Sequence, residues 1–304
     1  MSYVGPDFDA PEPRRPRRGP LTVAVAALVP AALLGWLVYE AVADTGGGPA
    51  GAAPRKAPPV TAPSSDDGKL PPSSPGSAPS GSLKGKVVLV DPGHNPGNFR
   101  HTTEINRKVD IGTNRKECDT TGTSTNSGYT EAQFTLDVAR RLRTILERQG
   151  ATVKFTQDGD RPWGPCVDER ARIGNTAHAD AAVSVHADGA AQGDRGFHVI
   201  LPASVHQGSA DTRPIVGPSR DLGGRIVDGF ARVTGSKHSN YVGNGTGLDV
   251  RSDLGGLNLS TVPKVFIECG NMRDGKDAAL LTSGAWRQKA AQGISEGIVS
   301  FLRG

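Results

Sequence analysis

The apolar positions along the chain follow two kinds of repeat. Short unbroken apolar runs read as buried strands: Lys86–Asp91 (KVVLVD), Thr152–Thr156, Ala181–His186 (AAVSVH), Gly196–Leu201 and Lys264–Cys269 (KVFIEC). Between them, apolar residues recur every three or four positions, the period of a helix with one buried face. Phe134, Val138, Leu142 and Ile145 mark a helix over Thr130–Gly150, which Thr130 and Gln133 open as a capping box and Gly150 ends. Further helices are predicted over Asp168–His178, over Ser219–Thr234 with Leu222, Ile226, Phe230 and Val233 on one stripe, and over Trp286–Leu302 with Trp286, Ala290, Ile294 and Phe301 apolar. Strands alternating with helices predict an α/β fold, a single domain over 83–304 with a largely parallel, twisted sheet flanked by helices. No internal repeat is visible.

Upstream the pattern changes. Leu21–Tyr39 carries no charged residue, and nineteen helical residues reach about 28 Å, enough to cross a bilayer core. Arg14, Arg15, Arg17 and Arg18 precede it, Trp36 and Tyr39 close it, and Pro30 is a kink that membranes tolerate. This reads as a signal-anchor with residues 1–20 as its cytoplasmic basic segment. The rival is a cleaved signal peptide, because Ala41-Val42-Ala43 is a small-x-small site. Both place the remainder outside the cytoplasm, at the cell membrane or exported to the periplasm or cell wall. Residues 44–82 hold nine prolines and few large apolar side chains. Such a segment cannot bury a core and is expected to be a disordered linker, its ends about 35 Å apart as a coil or about 120 Å as extended polyproline.

Charge narrows the partners. The net charge of +4 is small and scattered, with no basic helix and no aromatic-basic interleaving, which argues against nucleic acid. An acidic polymer such as a cell wall remains compatible. The three cysteines form no CxxC pair. In an exported domain Cys118 and Cys166, both in polar, loop-like sequence, are the candidate disulfide, with three free thiols as the alternative. Closing so long a loop stabilises the fold by about 4 kcal/mol on chain-entropy grounds. Cys269 follows an apolar strand and reads as a buried thiol.

Open α/β sheets place their sites beyond the carboxyl ends of the strands. Here the first strand ends in Asp91-Pro92-Gly93-His94, a later one in Ser184-Val185-His186-Ala187-Asp188, and the last in Ile267-Glu268-Cys269-Gly270, while Glu131 opens a helix. Two imidazoles and a carboxylate form a catalytic zinc set with one position left for water. Singly, each has a plainer reading: a histidine at a strand end is usually a satisfied polar residue, and Glu131 suits any helix N-terminus. Glu268 is harder to dismiss, because a carboxylate set among Val265, Phe266 and Ile267 is costly to bury alone. Asp91 and Asp188 read either as acceptors that orient the two histidines or as strand-end caps. His101, His178, His198, His206 and His238 read as ordinary polar residues. There is no GxSxG elbow for a serine hydrolase.

Together these motifs resemble the zinc-dependent N-acetylmuramoyl-L-alanine amidases of the amidase-3 type, over about residues 85–303. The carriers are Val88-Leu89-Val90-Asp91-Pro92-Gly93-His94, Glu131 at its helix start, Ser184-Val185-His186-Ala187-Asp188 and Val265-Phe266-Ile267-Glu268-Cys269-Gly270-Asn271. The resemblance implies zinc as cofactor, His94, Glu131 and His186 as its ligands, and Glu268 as the catalytic carboxylate. It implies cleavage of the amide between N-acetylmuramic acid and L-alanine, with peptidoglycan or muramyl-peptide fragments as partners. The membrane contact expected through residues 21–39 rests on their hydropathy, and a monomer is expected. The alternatives are a zinc peptidase cutting within the stem peptide and a non-catalytic wall-binding protein; no separate wall-binding repeat is visible. Two departures stand out. Many members carry Gly-Phe and then Ser-Asn after the catalytic glutamate, where this chain has Cys269-Gly270-Asn271-Met272-Arg273-Asp274. The polar stretch 95–128 is also long, and reads either as a flap beside the zinc, pinned by Cys118, or as a surface loop.

Overall fold

The computed structural model describes residues 82–304; the segments predicted at 1–20, 21–39 and, but for Ser82, 44–82 lie outside the described residues. In chain order the strands are β1 (Val87–Pro92), β2 (Lys108–Asp110), β3 (Arg115–Glu117), β4 (Thr152–Phe155), β5 (Ala181–Asp188), β6 (His198–Pro202), β7 (His206–Gln207), β8 (Ala210–Asp211), β9 (Leu248–Arg251) and β10 (Lys264–Asn271). The helices are α1 (Thr102–Ile105), α2 (Glu131–Arg148), α3 (Val167–Thr176), α4 (Val216–Thr234), α5 (Gly255–Asn258), α6 (Gly275–Leu281) and α7 (Gly284–Arg303). Six strands form one sheet in the order β4-β1-β5-β10-β6-β9, parallel except where β10 meets β6. The α/β architecture is thus the one the alternation predicts.

Side chains alternate across a strand, so each strand writes two faces. Val88 and Val90, Val183 and Val185, Val265 and Ile267, and Val199 and Leu201 share one core with Phe134, Val138 and Leu142 of α2, Leu222, Ile226 and Phe230 of α4, and Ile294 and Ile298 of α7. On the other face Leu89 and Ala182 meet Ile173 of α3. Beyond that small apolar patch this face turns polar toward the carboxyl ends of the strands.

The helix boundaries follow local chemistry. Thr130 caps α2: its side chain accepts from Gln133 N, and the Gln133 side chain accepts from Thr130 N at 3.2 Å. α3 begins after Cys166 and stops before His178, whose φ is 47°. α4 starts at Val216, three residues before the predicted start at Ser219, and α7 starts at Gly284, where the Ser283 side chain accepts from Trp286 N. Strand β9 lies outside the predicted strands: it is a four-residue edge strand with no fully buried residue and Val250 49% exposed, too short and too open for an apolar run to mark it. The long stretch 95–128 is folded. It contains α1 and the β2–β3 hairpin, is tied by the disulfide Cys118–Cys166, and packs Val109 and Ile111 in a small core with Trp163 and Val167. Cys269 is a buried free thiol. No helix among the described residues is long and apolar enough to cross a membrane.

Candidate active site

Three polar side chains converge where β1 and β5 end and α2 begins. Gly93 N donates to Val185 O at 2.9 Å, continuing the pairing of β1 with β5, and the chain then turns at His94, whose φ is 61°. A left-handed non-glycine residue is uncommon and costs of order 1–3 kcal/mol, so the fold around it enforces the turn. A Cβ on Gly93 would lie 2.3 Å from the His186 ring, which explains the glycine there. His94 Nδ1 donates to the Thr120 carbonyl at 3.0 Å. A carbonyl only accepts, so Nδ1 carries a proton, and Nε2, turned toward Glu131, is the ring atom that would face a metal.

Glu131, the first residue of α2, sits where the helix N-terminus favours a carboxylate. Its Oε1 lies 3.1 Å from His94 Nε2 and 2.9 Å from His186 Nδ1, and accepts from Ala187 N at 3.2 Å. Its Oε2 accepts from Thr123 N at 2.9 Å. His186 stacks on Phe266, with ring centroids 5.2 Å apart. One donor atom from each of His94, Glu131 and His186 falls within 4.8 Å of the others. Gly122 closes over them: its φ is +72°, and a Cβ there would meet His94 at 2.7 Å and Glu131 at 2.8 Å.

The electrostatics of this cluster favour a cation. Burial works against a charged His94, yet Glu131 and then Asp119 hold its pKa well above the ordinary value. Burial likewise opposes ionised Glu131, yet His94 and His186 keep it well below the usual carboxylate range. Glu268 behaves oppositely. Burial first, then the charges of Glu131 and Asp188, push its carboxyl well above the usual range, and its Oε2 is buried with no hydrogen-bond partner.

Asp91 and Asp188, read either as acceptors that orient the histidines or as strand-end caps, accept from donors other than the two imidazoles. Asp91 accepts from Thr156 Oγ1 at 2.6 Å, Arg170 Nη1 at 2.7 Å, Ser184 Oγ at 2.5 Å and Lys264 Nζ at 3.2 Å. Its carboxylate lies beneath the site inside a fully buried ion network, where Arg170 and Lys264 claim it ahead of any imidazole. Asp188 accepts from Tyr241 Oη at 2.7 Å and Gly189 N at 2.8 Å. The acid beside His94 is Asp119, with Oδ1 3.6 Å from Nδ1. Arg170 ties these pieces together, donating to Asp119 Oδ2 at 2.9 Å, Pro92 O at 2.7 Å and the His94 carbonyl at 3.0 Å. Sequence reading missed Asp119 and Arg170. The one cue was that Asp119 follows Cys118 and Arg170 lies one turn beyond Cys166, so the disulfide brings them together.

The departure after Glu268 is structural. Asn271 donates to the carbonyls of Ala190, Ala191 and Asp194, and Asp274 caps α6. Beside His94 a groove of about 430 Å³ is lined by Asn95, Pro96, Phe99 and residues 121–124. Phe99 stands 63% exposed, with Arg100 over its ring.

A mostly parallel α/β sheet bearing a histidine–glutamate–histidine cluster and a half-buried carboxyl at its strand ends defines a hydrolase-type centre. Residues 88–300 match the Amidase_3 family, N-acetylmuramoyl-L-alanine amidase, and the chain belongs to that family. It is 40% identical over 227 residues to an N-acetylmuramoyl-L-alanine amidase of Mycobacterium tuberculosis, spanning 74% of this chain and 90% of that protein. The crystal structure of an N-acetylmuramyl-L-alanine amidase from Mycobacterium smegmatis superposes with a TM-score of 0.66 at 39% identity, over 72% of this chain and 98% of that one. The apo amidase of Mycobacterium abscessus gives 0.66 at 38% identity, over 72% and 100%.

Proposed function

We propose that this chain hydrolyses the amide between N-acetylmuramic acid and L-alanine in peptidoglycan, with zinc held by His94, Glu131 and His186 and Glu268 as the proton-transfer residue. The observation that carries this is the donor cluster itself, three side chains gathered within 4.8 Å beside a half-buried carboxyl whose Oε2 has no hydrogen-bond partner. Two neutral imidazoles and a carboxylate suit zinc. The raised His94 and lowered Glu131 reflect the imidazole and carboxylate pairing with each other across the position where the three donor atoms meet. Zinc supplies polarisation of a carbonyl and acidification of water.

The chain's own residues supply the rest. Thr120 holds the His94 tautomer, and Thr123 N and Ala187 N fix the two oxygens of Glu131. Glu268, at the β10 position paired with His186, takes a proton from the attacking water and returns it to the departing nitrogen. The C–N bond breaks, the lactyl carbon gains the water oxygen, and L-alanine leaves with a free amine. The groove along Asn95, Phe99 and residues 121–124 gives the substrate access beside His94. We place the domain outside the cytoplasm as a monomer, joined by residues 44–82 to a membrane segment at 21–39 or released by cleavage.

The test is mass spectrometry of a muramyl-peptide incubated with the full chain, with zinc and with a chelator. Metal-dependent release of the intact stem peptide is the expected result. A cut inside the peptide would make the protein a peptidase, and no metal-dependent cut would remove the enzymatic reading.

A further inference from the structure

The sheet sets three polar residues in one row. Glu268 on β10 is the direct partner of His186 on β5 and of His198 on β6. Directly paired residues share a sheet face, with Cβ atoms about 4.5–5.5 Å apart. His198 therefore flanks Glu268 on the side opposite the ligand cluster, a position to which no role has been given.

Its environment is unusual for an ordinary polar residue. His198 is 3% exposed, and its Nδ1 is buried without a hydrogen-bond partner. The other buried orphan in the row is Glu268 Oε2. Each such atom costs roughly 1–3 kcal/mol, so an apolar residue at 198 would serve the fold better. The two orphans are complementary: a carboxylate accepts, and a neutral imidazole carries one N–H. Burial holds the His198 pKa below its ordinary value against the pull of Asp188 and Asp249, so the ring is neutral at neutral pH. Tyr241 stands edge-on to the ring at 6.0 Å and donates to Asp188, bracing the imidazole from the side.

We propose that His198 is a positioning residue of the amidase reaction, its Nδ1–H donating to Glu268 Oε2 during turnover and fixing the carboxylate that carries the proton from water to the leaving amine. This rests on the amidase reading of the site. The bond satisfies both orphaned atoms at once, and it restrains the one catalytic group that nothing else among the described residues holds by that oxygen.

The test uses the zinc-loaded full chain and a muramyl-peptide, with His198→Leu, His198→Asn and His198→Gln. Asparagine places an amide N–H near the position of Nδ1, and glutamine near that of Nε2. His198→Leu should lower kcat roughly 10- to 100-fold, the loss of one hydrogen bond to a charged group, with KM and zinc content unchanged and no loss of melting temperature. His198→Asn should restore kcat to within about fivefold of wild type, whereas His198→Gln should resemble the leucine variant. Wild-type kcat in His198→Leu, equal losses in the leucine and asparagine variants, or a raised KM at constant kcat would each overturn the assignment. Failure of the wild type to release the stem peptide would overturn the amidase reading and this inference with it, whereas an active wild type beside an unaffected leucine variant overturns this inference alone.

Discussion

The two faces of β10 carry opposite kinds of residue at adjacent positions. Val265, Ile267 and Cys269 enter the dry core against α4 and α7, while Phe266 and Glu268 turn toward the histidines. The same contrast holds on β5, where Val183 and Val185 are core and Ser184 and His186 are not. Apolar area buried on the first face is non-directional and stabilises about 25 cal/mol per Å². The second face depends on geometry, because each buried charge there is tolerated only while its partners stay in place. Stability and chemistry thus share strands but not residues, and substitutions on the two faces should separate them.

The largest separation is expected at Glu268. Glu268→Gln removes the carboxyl proposed to move the proton and leaves shape and the three proposed metal donors intact. Turnover should fall about 10²- to 10⁴-fold, while zinc content and melting temperature stay at wild-type values. Metal analysis beside steady-state rates reads both; retained turnover would take Glu268 out of the reaction.

Arg170 tests whether the polar face contributes to stability at all. Arg170→Leu leaves Asp119 without its guanidinium and takes from Asp91 one of its two cations, and breaking a buried pair from one side costs about 3–5 kcal/mol. The sign of the pH effect follows from Asp119. Burial tends to raise its pKa, but Arg170 and then His94 pull it down to about 2. A depressed acid contributes stability above its ordinary range, and that contribution fades as pH falls toward the folded value. Wild-type stability should therefore decline between about pH 4 and pH 2, and Arg170→Leu should flatten that decline in urea titrations. An unchanged decline would mean other carboxylates govern the acid limb.

The opposite face gives the control. Ile294→Ala on α7 opens the core far from the cluster, at a cost of about 2–5 kcal/mol. Turnover per folded molecule and zinc content should not change. A loss of turnover larger than the loss of folded protein would show that the faces are coupled.

The contrast also explains what could be read from the sequence. The core face was legible because burial imposes a period on single strands and helices: Phe134, Val138 and Leu142, or Val183 and Val185, announce themselves. The ligand cluster was legible only as a set of motifs at element ends, since nothing in spacing says that His94, Glu131 and His186 meet. The supporting residues were not legible. Asp119 and Arg170 become partners of the site through the disulfide and the packing of α3, and His198 reaches Glu268 through the antiparallel step between β6 and β10. Pairings between distant segments leave no local trace in one sequence, which is also why the sequence left the partners of Asp91 and Asp188 open between two readings.

The smallest effect tests the place where the two faces meet. Helix α2 lines the core with Phe134, Val138 and Leu142 and offers Glu131 to the site from its first turn, immediately after the Thr130 cap. Thr130→Ala removes one half of the capping box, at about 1 kcal/mol. For a domain of this size that is a fall of roughly 2–4 °C in melting temperature. Zinc affinity should not follow. Both oxygens of Glu131 are held by donors that do not involve Thr130: Thr123 N on Oε2 and Ala187 N on Oε1. Chelator competition measures the affinity and a thermal melt the stability. A drop in affinity beyond tenfold, which would need about 1.4 kcal/mol at the site itself, would mean that the cap positions the ligand directly and that helix stability and metal binding are a single property of α2.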